Sequence, residues 1–323
     1  MGKTFSQLFP PTPKFTEKNL PDQTGKKVFI VTGASTGVGK ELAQILYSHH
    51  AKVYVAARSS EKVEKAIEAI KSASPTSKGE LVYLHLDLDD LSTIKASVQE
   101  FLSKEQKLDV LWNNAGVMKP PVGSRTKQGY ELQIGTNNLA PFLFTKFLTP
   151  LLIQTAKASP PGSVRVVWVS SRVAESVAPK GGVDMSKLDG NDNSVSMYYG
   201  LSKGGNILHN KEYAKRFGHE GVLSVALNPG NLKTPLYRHG SSIRNLFMDL
   251  ILHEPIKGAY TELFGGFSPE ITPEMNGTWV APWGRFESLR GDYDASFKTK
   301  EEGGTGVAQQ FWEWSEEQVK PFL

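Results

Sequence analysis

Cysteine is absent from this sequence of 323 residues. The absence excludes disulfide bonds, thiolate zinc sites and a cysteine nucleophile, and it fits a reducing compartment such as the cytoplasm. Histidine is scarce, and the seven residues include no H-E-x-x-H pair or comparable arrangement. We therefore expect no metal site, and we interpret the adjacent His49 and His50 as surface residues at the end of a helix.

Long apolar runs and strong charge are also missing. No stretch has the length of a membrane span, and the N-terminus lacks the apolar core of a secretion signal. The net charge is only +4, without a dense stripe of lysine and arginine, so nucleic acid is not an expected partner. One membrane-related pattern is present: MGKTFS matches the template for N-myristoylation at Gly2, a match that also arises by chance.

Short apolar runs alternate with helical patterns along most of the chain. Residues 1–25 contain four prolines and no apolar period, and we interpret them as an arm that wraps the surface or is partly disordered. From residue 26 the predicted strands are KKVFIVTG, AKVYVAAR, ELVYLHLD, LDVLWNNAG, SVRVVWVSS and GVLSVALNPG. Predicted helices separate them. This predicts one α/β domain over 26–323, a Rossmann-type doubly wound parallel sheet with helices on both faces.

A glycine-rich turn, TGASTGVGK, follows the first predicted strand directly. Glycines in such a turn let the backbone approach a pyrophosphate, and the next helix points its N-terminal N–H groups at the anion. The alternative is a plain strand-to-helix loop. Three glycines within seven residues favour a dinucleotide site, and the expected contacts are Gly33, Ser35, Thr36, Gly37, Val38 and Gly39.

The end of the second predicted strand bears on the choice of cofactor. An acidic residue there would bind the ribose hydroxyls and repel a 2′-phosphate, but the strand ends VAARSS, with Ala57 at that place. Arg58 follows and suits a phosphate, and Ser59 adds a hydroxyl. A solvated surface arginine is the alternative for Arg58. The pattern favours NADP(H) over NAD(H).

The stretch YYGLSK contains a candidate for proton transfer. Tyr199 and Lys203 are four residues apart, so on a helix they share one face. Tyr198 has Ser202 at that spacing and no basic partner. A tyrosine four residues before a lysine is also common on amphipathic helices, so the pair needs further support.

Seven short motifs in order supply that support. They are TGASTGVG, LDLDD, NNAG, Asn137 in GTNNLAPF, Ser171 in WVSSR, Tyr199 with Lys203, and NPGNLKT. Together they resemble the short-chain dehydrogenase/reductase family over about residues 25–282. The fungal members of its retinol-dehydrogenase-like and WW-domain-oxidoreductase-like branch are the most similar. The resemblance implies further cofactor contacts at Asp87, Leu88, Asn114, Ala115, Gly116, Tyr199, Lys203, Pro229, Gly230, Leu232 and Thr234.

The resemblance also implies four catalytic roles. Tyr199 would exchange a proton with the substrate oxygen, which a nearby ammonium makes feasible because a free tyrosine has a pKa of about 10. Ser171 would hold that oxygen, and Lys203 would bind the nicotinamide ribose as well. Asn137 would hold a water linking Lys203 to solvent. Ser170 competes with Ser171, but adjacent strand residues point to opposite faces, and the family match selects the second.

Three features bear on the substrate. The amphipathic stretch SSIRNLFMDLILHEP predicts a lid over the substrate within about 234–265. A core helix or a homodimer contact fits the stretch equally well. Its apolar face carries Ile243, Leu246, Phe247, Leu250 and Ile251. The loop 172–194 is expected to border the pocket. Trp279, Trp283 and Phe286 are expected either in the pocket or in the core, and Phe286 belongs to a C-terminal tail over about 284–323.

The preferred function is an NADP(H)-dependent carbonyl reductase acting on an apolar ketone, aldehyde or secondary alcohol. A nucleotide-binding regulator on the same fold, without turnover, is the alternative. A nucleotide-sugar epimerase is disfavoured, because such enzymes usually carry a G-x-x-G-x-x-G turn. The family pattern SKLAN is replaced here by SKGGN, so Gly204 and Gly205 are expected to open space on the helix.

Overall fold

A mostly parallel eight-stranded sheet organises the computed structural model, which describes residues 3–25, 27–234 and 252–323. The strand order is β3-β2-β1-β4-β5-β6-β7-β8, and only the final pairing is antiparallel. The strands are β1 (Val28–Thr32), β2 (Lys52–Ala57), β3 (Glu80–His85), β4 (Val110–Asn113), β5 (Arg165–Val169), β6 (Leu223–Leu227), β7 (Thr278–Ala281) and β8 (Arg285–Phe286).

The central strands are apolar because helices cover both of their faces. Every residue of β1, β4, β5 and β6 is buried. In the register, Val31 lies opposite Val55 on one side and Trp112 on the other. Continuous apolar runs of this kind form parallel strands inside a sheet and have no solvent-facing side. The predicted doubly wound fold is therefore confirmed.

Two helical layers enclose the sheet. One contains α2 (Gly37–Ser48), α3 (Ser60–Ala73) and α9 (Pro255–Phe267), and the other contains α4 (Leu91–Lys104), α6 (Ala140–Lys157), α8 (Val195–Phe217) and α11 (Val307–Val319). The shorter helices are α1 (Lys3–Leu8), α5 (Leu132–Ile134), α7 (Val173–Ser176) and α10 (Asp292–Phe297). Strand β1 lies between β2 and β4, so the chain reverses its winding direction there and opens a crevice at the carboxyl ends.

Local features complete the description of the helices. Ser59 caps α3 by accepting a hydrogen bond from the Lys62 N–H. A π-helical segment, Gly135–Leu139, lies immediately before α6. The stretch Leu132–Lys157 is long and apolar enough to cross a membrane, contrary to the expectation, and 67% of its most apolar window is buried inside the fold.

Over the second half of the segment 234–265, the structure favours a core helix, the alternative to a lid. Residues 255–265 belong to α9, which packs on the sheet with Ala259, Leu263 and Phe264 buried. The amphipathic face at 243–251 lies outside the described residues, as does Gly2 of the acylation template. Two short strands, β7 and β8, extend the sheet beyond the six strands that the sequence predicted.

The N-terminal arm packs against the loops at the carboxyl ends of β5 and β6. Gln7 is 2% exposed, and its Nε2 donates to Glu175 at 2.9 Å and Glu287 at 2.8 Å. Its Oε1 accepts from Asn228 Nδ2 at 3.1 Å. His253 Nε2 lies 3.0 Å from the Leu8 carbonyl oxygen. One short helix thus joins the loops after β5 and β6 to the β8 segment.

Candidate active site

A cavity of about 670 Å³ lies at the carboxyl edge of the sheet, where β1 to β6 end. Its lining includes nearly every residue predicted to bind cofactor: Gly33, Ser35, Thr36, Gly37, Val38, Arg58, Asp87, Leu88, Asn114, Ala115, Gly116, Tyr199, Lys203, Pro229, Gly230, Leu232 and Thr234. Gly39 and Ser59 are not in the lining. This cavity is the candidate active site.

The glycines of the turn allow the loops that border the cavity to pack closely against each other. A Cβ on Gly33, whose φ is +70°, would lie 2.9 Å from the Ala115 Cα. A Cβ on Gly39 would lie 2.5 Å from Asn114 Nδ2, so this glycine serves close packing of α2 against the β4 loop rather than direct contact. The first turn of α2 offers free N–H groups to an anion at the cavity.

Thr32 is a residue that motif reading missed, and it joins two cofactor loops. Its Oγ1 accepts from the Asn114 and Ala115 N–H groups at 3.0 and 2.9 Å and donates to the Trp112 carbonyl at 3.1 Å. Thr32 is the last residue of a predicted strand, where a polar residue that is fully buried needs partners. A polar residue at the end of a predicted buried strand could therefore have identified Thr32 from the sequence.

The adenine end of the cavity carries one guanidinium and two carboxylates. Arg58 Nη1 lies 2.8 Å from Asp89 Oδ2 and 3.9 Å from Asp87 Oδ1. Asp89 also accepts from Thr136 Oγ1 at 2.7 Å. The Arg58 side chain is 64% exposed, so a phosphate can reach it. Asp89 was absent from the predicted site.

The two candidate tyrosines occupy different environments. Tyr199 lines the cavity, and the Lys203 ammonium lies 5.9 Å from the centre of its ring. Tyr198 is buried in the core, where its hydroxyl accepts the Asp192 N–H at 3.1 Å. Helical spacing therefore brings together the pair that the sequence singled out.

Lys203 is buried at the end of β5, and its Nζ donates to the Val169 carbonyl at 2.9 Å. Burial lowers the pKa of Lys203 to about 8, with a smaller opposing effect from the charge of Glu262. Glu262 is fully buried, neither of its carboxyl oxygens has a hydrogen-bond partner, and burial raises its pKa to about 8. No motif indicated this acid on α9.

Ser171 and Ser170 divide their roles as the strand geometry predicted. Ser170 is buried and donates from Oγ to the Lys203 carbonyl at 2.6 Å, which ties α8 to the end of β5. Ser171 is partly exposed in the cavity, and its Oγ accepts the Val173 N–H at 3.4 Å. The hydroxyl of Ser171 therefore remains able to donate.

Asn137 lies behind the cavity rather than in its lining. Its side chain brackets the Val117 peptide, accepting from the N–H at 2.8 Å and donating to the carbonyl at 3.0 Å. Its Nδ2 also lies 3.0 Å from Ser202 Oγ. A Cβ on Gly116 would lie 3.0 Å from Asn137 Oδ1 and 3.4 Å from Lys203 Nζ. Asn137 and Lys203 thus both lie next to Gly116.

The expectation that Gly204 and Gly205 open space on the helix is wrong, because a Cβ on Gly204 would collide with the Gly182 carbonyl oxygen, and one on Gly205 would meet Asn138 and Phe311. Gly204 lets the loop 172–194 lie directly on α8, and Gly205 allows close packing against α11. Of the two places expected for the aromatics, Trp279 and Trp283 occupy the core, outside the cavity lining. Phe286 also lies outside the lining, but it is 37% exposed and packs against Phe264.

Within the described ranges, no group of three or more histidine or acidic side chains could hold a metal ion. The catalytic end is instead lined by hydroxyl and cationic groups. Beyond the predicted residues, it includes Val117, Met118, Lys119, Arg172, Val173 and Asn231. A cavity at the switch point of a doubly wound sheet, with a glycine turn at one end and a tyrosine–lysine pair at the other, defines a dinucleotide-dependent oxidoreductase.

Comparison with known proteins gives the family. The family model described as short chain dehydrogenase matches residues 27–242. A short-chain dehydrogenase/reductase of Phomopsis amygdali is 54% identical over all of this chain and 98% of its own length. The enzymes bet4 of Neocamarosporium betae and pkfC of Emericella nidulans, named likewise, are 47% and 48% identical over at least 94% of either chain.

This chain therefore belongs to the short-chain dehydrogenase/reductase family and is of the fungal type, an oxidoreductase family that binds a nicotinamide cofactor. Solved structures share the fold. An NADPH-bound carbonyl reductase from chicken fatty liver covers 84% of this chain, and all of its own, with a TM-score of 0.61 at 20% identity. A 3-ketoacyl-(acyl-carrier-protein) reductase of Brucella melitensis, complexed with NADH, covers 78% of this chain and 95% of its own, with a TM-score of 0.60 at 23% identity.

Proposed function

We propose that this chain is an NADP(H)-dependent carbonyl reductase, which transfers a hydride between nicotinamide and the carbon of a ketone, aldehyde or secondary alcohol. The observation that carries the proposal is the placement of Tyr199, Lys203 and Ser171 on one cavity, with the ammonium 5.9 Å from the phenol ring. A proton donor, a cation and a hydroxyl donor are the groups that carbonyl reduction requires.

The chain's own residues donate the proton and stabilise the negative charge that develops on the substrate oxygen. Nicotinamide, when bound, supplies or accepts the hydride. Ser171 Oγ donates a hydrogen bond to the substrate oxygen and holds it beside Tyr199. Tyr199 Oη gives its proton to that oxygen as negative charge develops there. Lys203, anchored to the Val169 carbonyl, stabilises the resulting phenolate. In oxidation the same groups act in reverse.

NADP(H) is proposed because Ala57 stands where a carboxylate would repel the 2′-phosphate, and Arg58 lies in the cavity lining beside it. The Arg58–Asp89 pair is exposed, and exposed ion pairs are worth about 0.2–1 kcal/mol. A phosphate can therefore compete with Asp89 for the guanidinium at low cost.

The apolar lining near Tyr199 supports a substrate with an apolar body. Val117, Met118 and Val173 supply this surface. The proposed partner is thus a small organic carbonyl or alcohol in the cytoplasm, with no nucleic acid, and a homodimer is the proposed assembly. The proposed division of the chain is an arm over 1–25 and one domain over 26–323.

The test is the loss of NADPH absorbance on mixing the protein with a panel of aromatic and aliphatic aldehydes and ketones. We expect turnover of at least one member and a much slower reaction with NADH. NADPH binding without turnover of any carbonyl or alcohol would instead identify a regulatory nucleotide-binding protein. A clear preference for NADH would reject the cofactor assignment alone.

A further inference from the structure

We propose that Arg172 binds an anionic oxygen group, a carboxylate, on the substrate beside the carbonyl that reacts. This inference rests on the proposed reductase function and narrows its substrate class. Arg172 directly follows Ser171 and lies in the same cavity lining. A group that binds Arg172 is therefore within a short reach of the serine that holds the reacting oxygen.

The backbone of Arg172 is fixed by the start of α7. Its carbonyl oxygen accepts the N–H groups of Glu175 at 3.0 Å and Ser176 at 3.2 Å. The preceding Ser171 Oγ accepts the Val173 N–H. These bonds hold the segment after β5 in one conformation, so the arginine is presented to the cavity from a defined position.

The guanidinium of Arg172 has no hydrogen bond or ion pair with any residue in the described ranges, and its Nε is buried without a partner. Other arginines of the fold are satisfied. Arg58 pairs with Asp89, Arg290 pairs with Asp292, and Arg165 donates to backbone carbonyls. The terminal nitrogens of Arg172 also have no acceptor in the described chain and, unlike Nε, are not buried, so they can donate to an anionic group of a ligand in the cavity.

A second cation, Lys119, lines the same end of the cavity. Its backbone has a φ of +48°, and its N–H donates to Gln133 Oε1 at 2.9 Å, which fixes the loop after β4. Among the residues that the structure describes, Lys119 Nζ has no ion pair, and the carboxylates in the lining are Asp87 and Asp89 beside Arg58. The catalytic end therefore carries an uncompensated positive charge.

A carboxylate is the group that best matches this site. The planar guanidinium fork binds a carboxylate through two parallel N–H donors, and Lys119 adds a charge. The adjacent Met118 and Val173 suit an apolar or aromatic body. The phosphates of a dinucleotide are the competing anion, but the glycine turn and the start of α2 already offer them donors.

The experiment compares terephthalaldehydic acid with its methyl ester, two aldehydes that differ in the negative charge and in one methyl group. We measure kcat/KM for each with NADPH, and we measure by calorimetry the binding of benzoate and of neutral benzamide to the NADP⁺-loaded protein. We expect the wild type to prefer the charged member of each pair by about tenfold or more. Arg172→Met should lower each preference by about ten- to hundredfold, and Arg172→Lys should restore part of it.

Lys95→Met is the matched control, because it removes one positive charge from the exposed face of α4, outside the cavity. It should leave both preferences unchanged. Equal preferences in wild type and Arg172→Met, or an effect of Arg172→Met on NADPH affinity alone, would overturn the inference while the reductase function stands. Arg172-dependent benzoate binding without turnover of any carbonyl would support the anion site and reject the reductase.

Discussion

The arginines at the two ends of the cavity differ in whether the protein supplies a partner for their positive charge. At the adenine end Arg58 has a carboxylate partner 2.8 Å away, whereas at the catalytic end Arg172 has none in the described chain. The first cation is compensated by the protein and exposed to solvent, so a phosphate can replace its partner cheaply. The second has no partner in the described chain and lies in the cavity lining, where a ligand can reach it. The comparison shows that the protein itself supplies the partner of the cation at the adenine end, and it is the reason for our proposal that the substrate supplies one at the catalytic end.

Tyr199→Phe should produce the largest effect and should act on the catalytic end. Removing the proton donor should lower kcat for carbonyl reduction by about 10²- to 10⁴-fold, because general acid catalysis contributes about that much. Steady-state kinetics with NADPH measure the loss.

Tyr198→Phe is the matched control for this substitution. It removes the adjacent hydroxyl, which bonds the Asp192 N–H in the core away from the cavity. We expect activity to be retained in this variant. Equal losses in the two variants would show that the region acts through packing rather than proton transfer.

Substitution of Arg58 should affect the adenine end. Arg58→Leu should lower the ratio of kcat/KM with NADPH to that with NADH by about ten- to hundredfold, since a charge-assisted hydrogen bond contributes about 1.5–3 kcal/mol. Asp89→Asn should raise this ratio, because it releases the guanidinium. No change in the ratio for Arg58→Leu would mean that the exposed arginine is only a surface residue.

The pH dependence should distinguish the catalytic lysine. Burial places the pKa of Lys203 at about 8, so the ammonium is present below that pH and is lost as pH rises through it. The rate of reduction should fall above about pH 8, by up to about tenfold per unit. Glu262→Gln should move this decline to lower pH, because the charge of Glu262 raises the pKa of Lys203. A pH profile that is the same in both proteins would contradict this coupling.

Gln7→Leu should produce the smallest effect, on the rim of the catalytic end. The substitution removes three hydrogen bonds, one each with Glu175, Glu287 and Asn228. We expect a loss of about 1–3 kcal/mol in the free energy of unfolding, measured by urea denaturation. Phe5→Ala, at a residue that is 48% exposed on the same helix, should cost less. The reverse order would show that apolar contact, not the amide, secures the arm.

Much of the fold could be predicted because its signals are local. Apolar runs identified six strands, and helical spacing placed Tyr199 beside Lys203. Helix α9 and strands β7 and β8 were missed. They are stabilised by contacts with parts of the sheet that lie far away in the sequence, and a local sequence pattern does not show such contacts. The contacts of Gln7, Thr32 and Glu262 join segments far apart in sequence, and no short motif encodes them. The sequence predicted open space beside Gly204 because it does not show that the loop around Gly182 packs there in the folded protein.

The most direct test of the central claim uses NADPH that carries deuterium on both positions of its reactive nicotinamide carbon. Mass spectrometry of the alcohol product then shows whether the transferred hydrogen came from the cofactor. The account predicts one deuterium on the former carbonyl carbon with the wild-type protein, and almost no product in the same time with Tyr199→Phe. Product without deuterium, or tight NADPH binding with no product from any carbonyl, would contradict it.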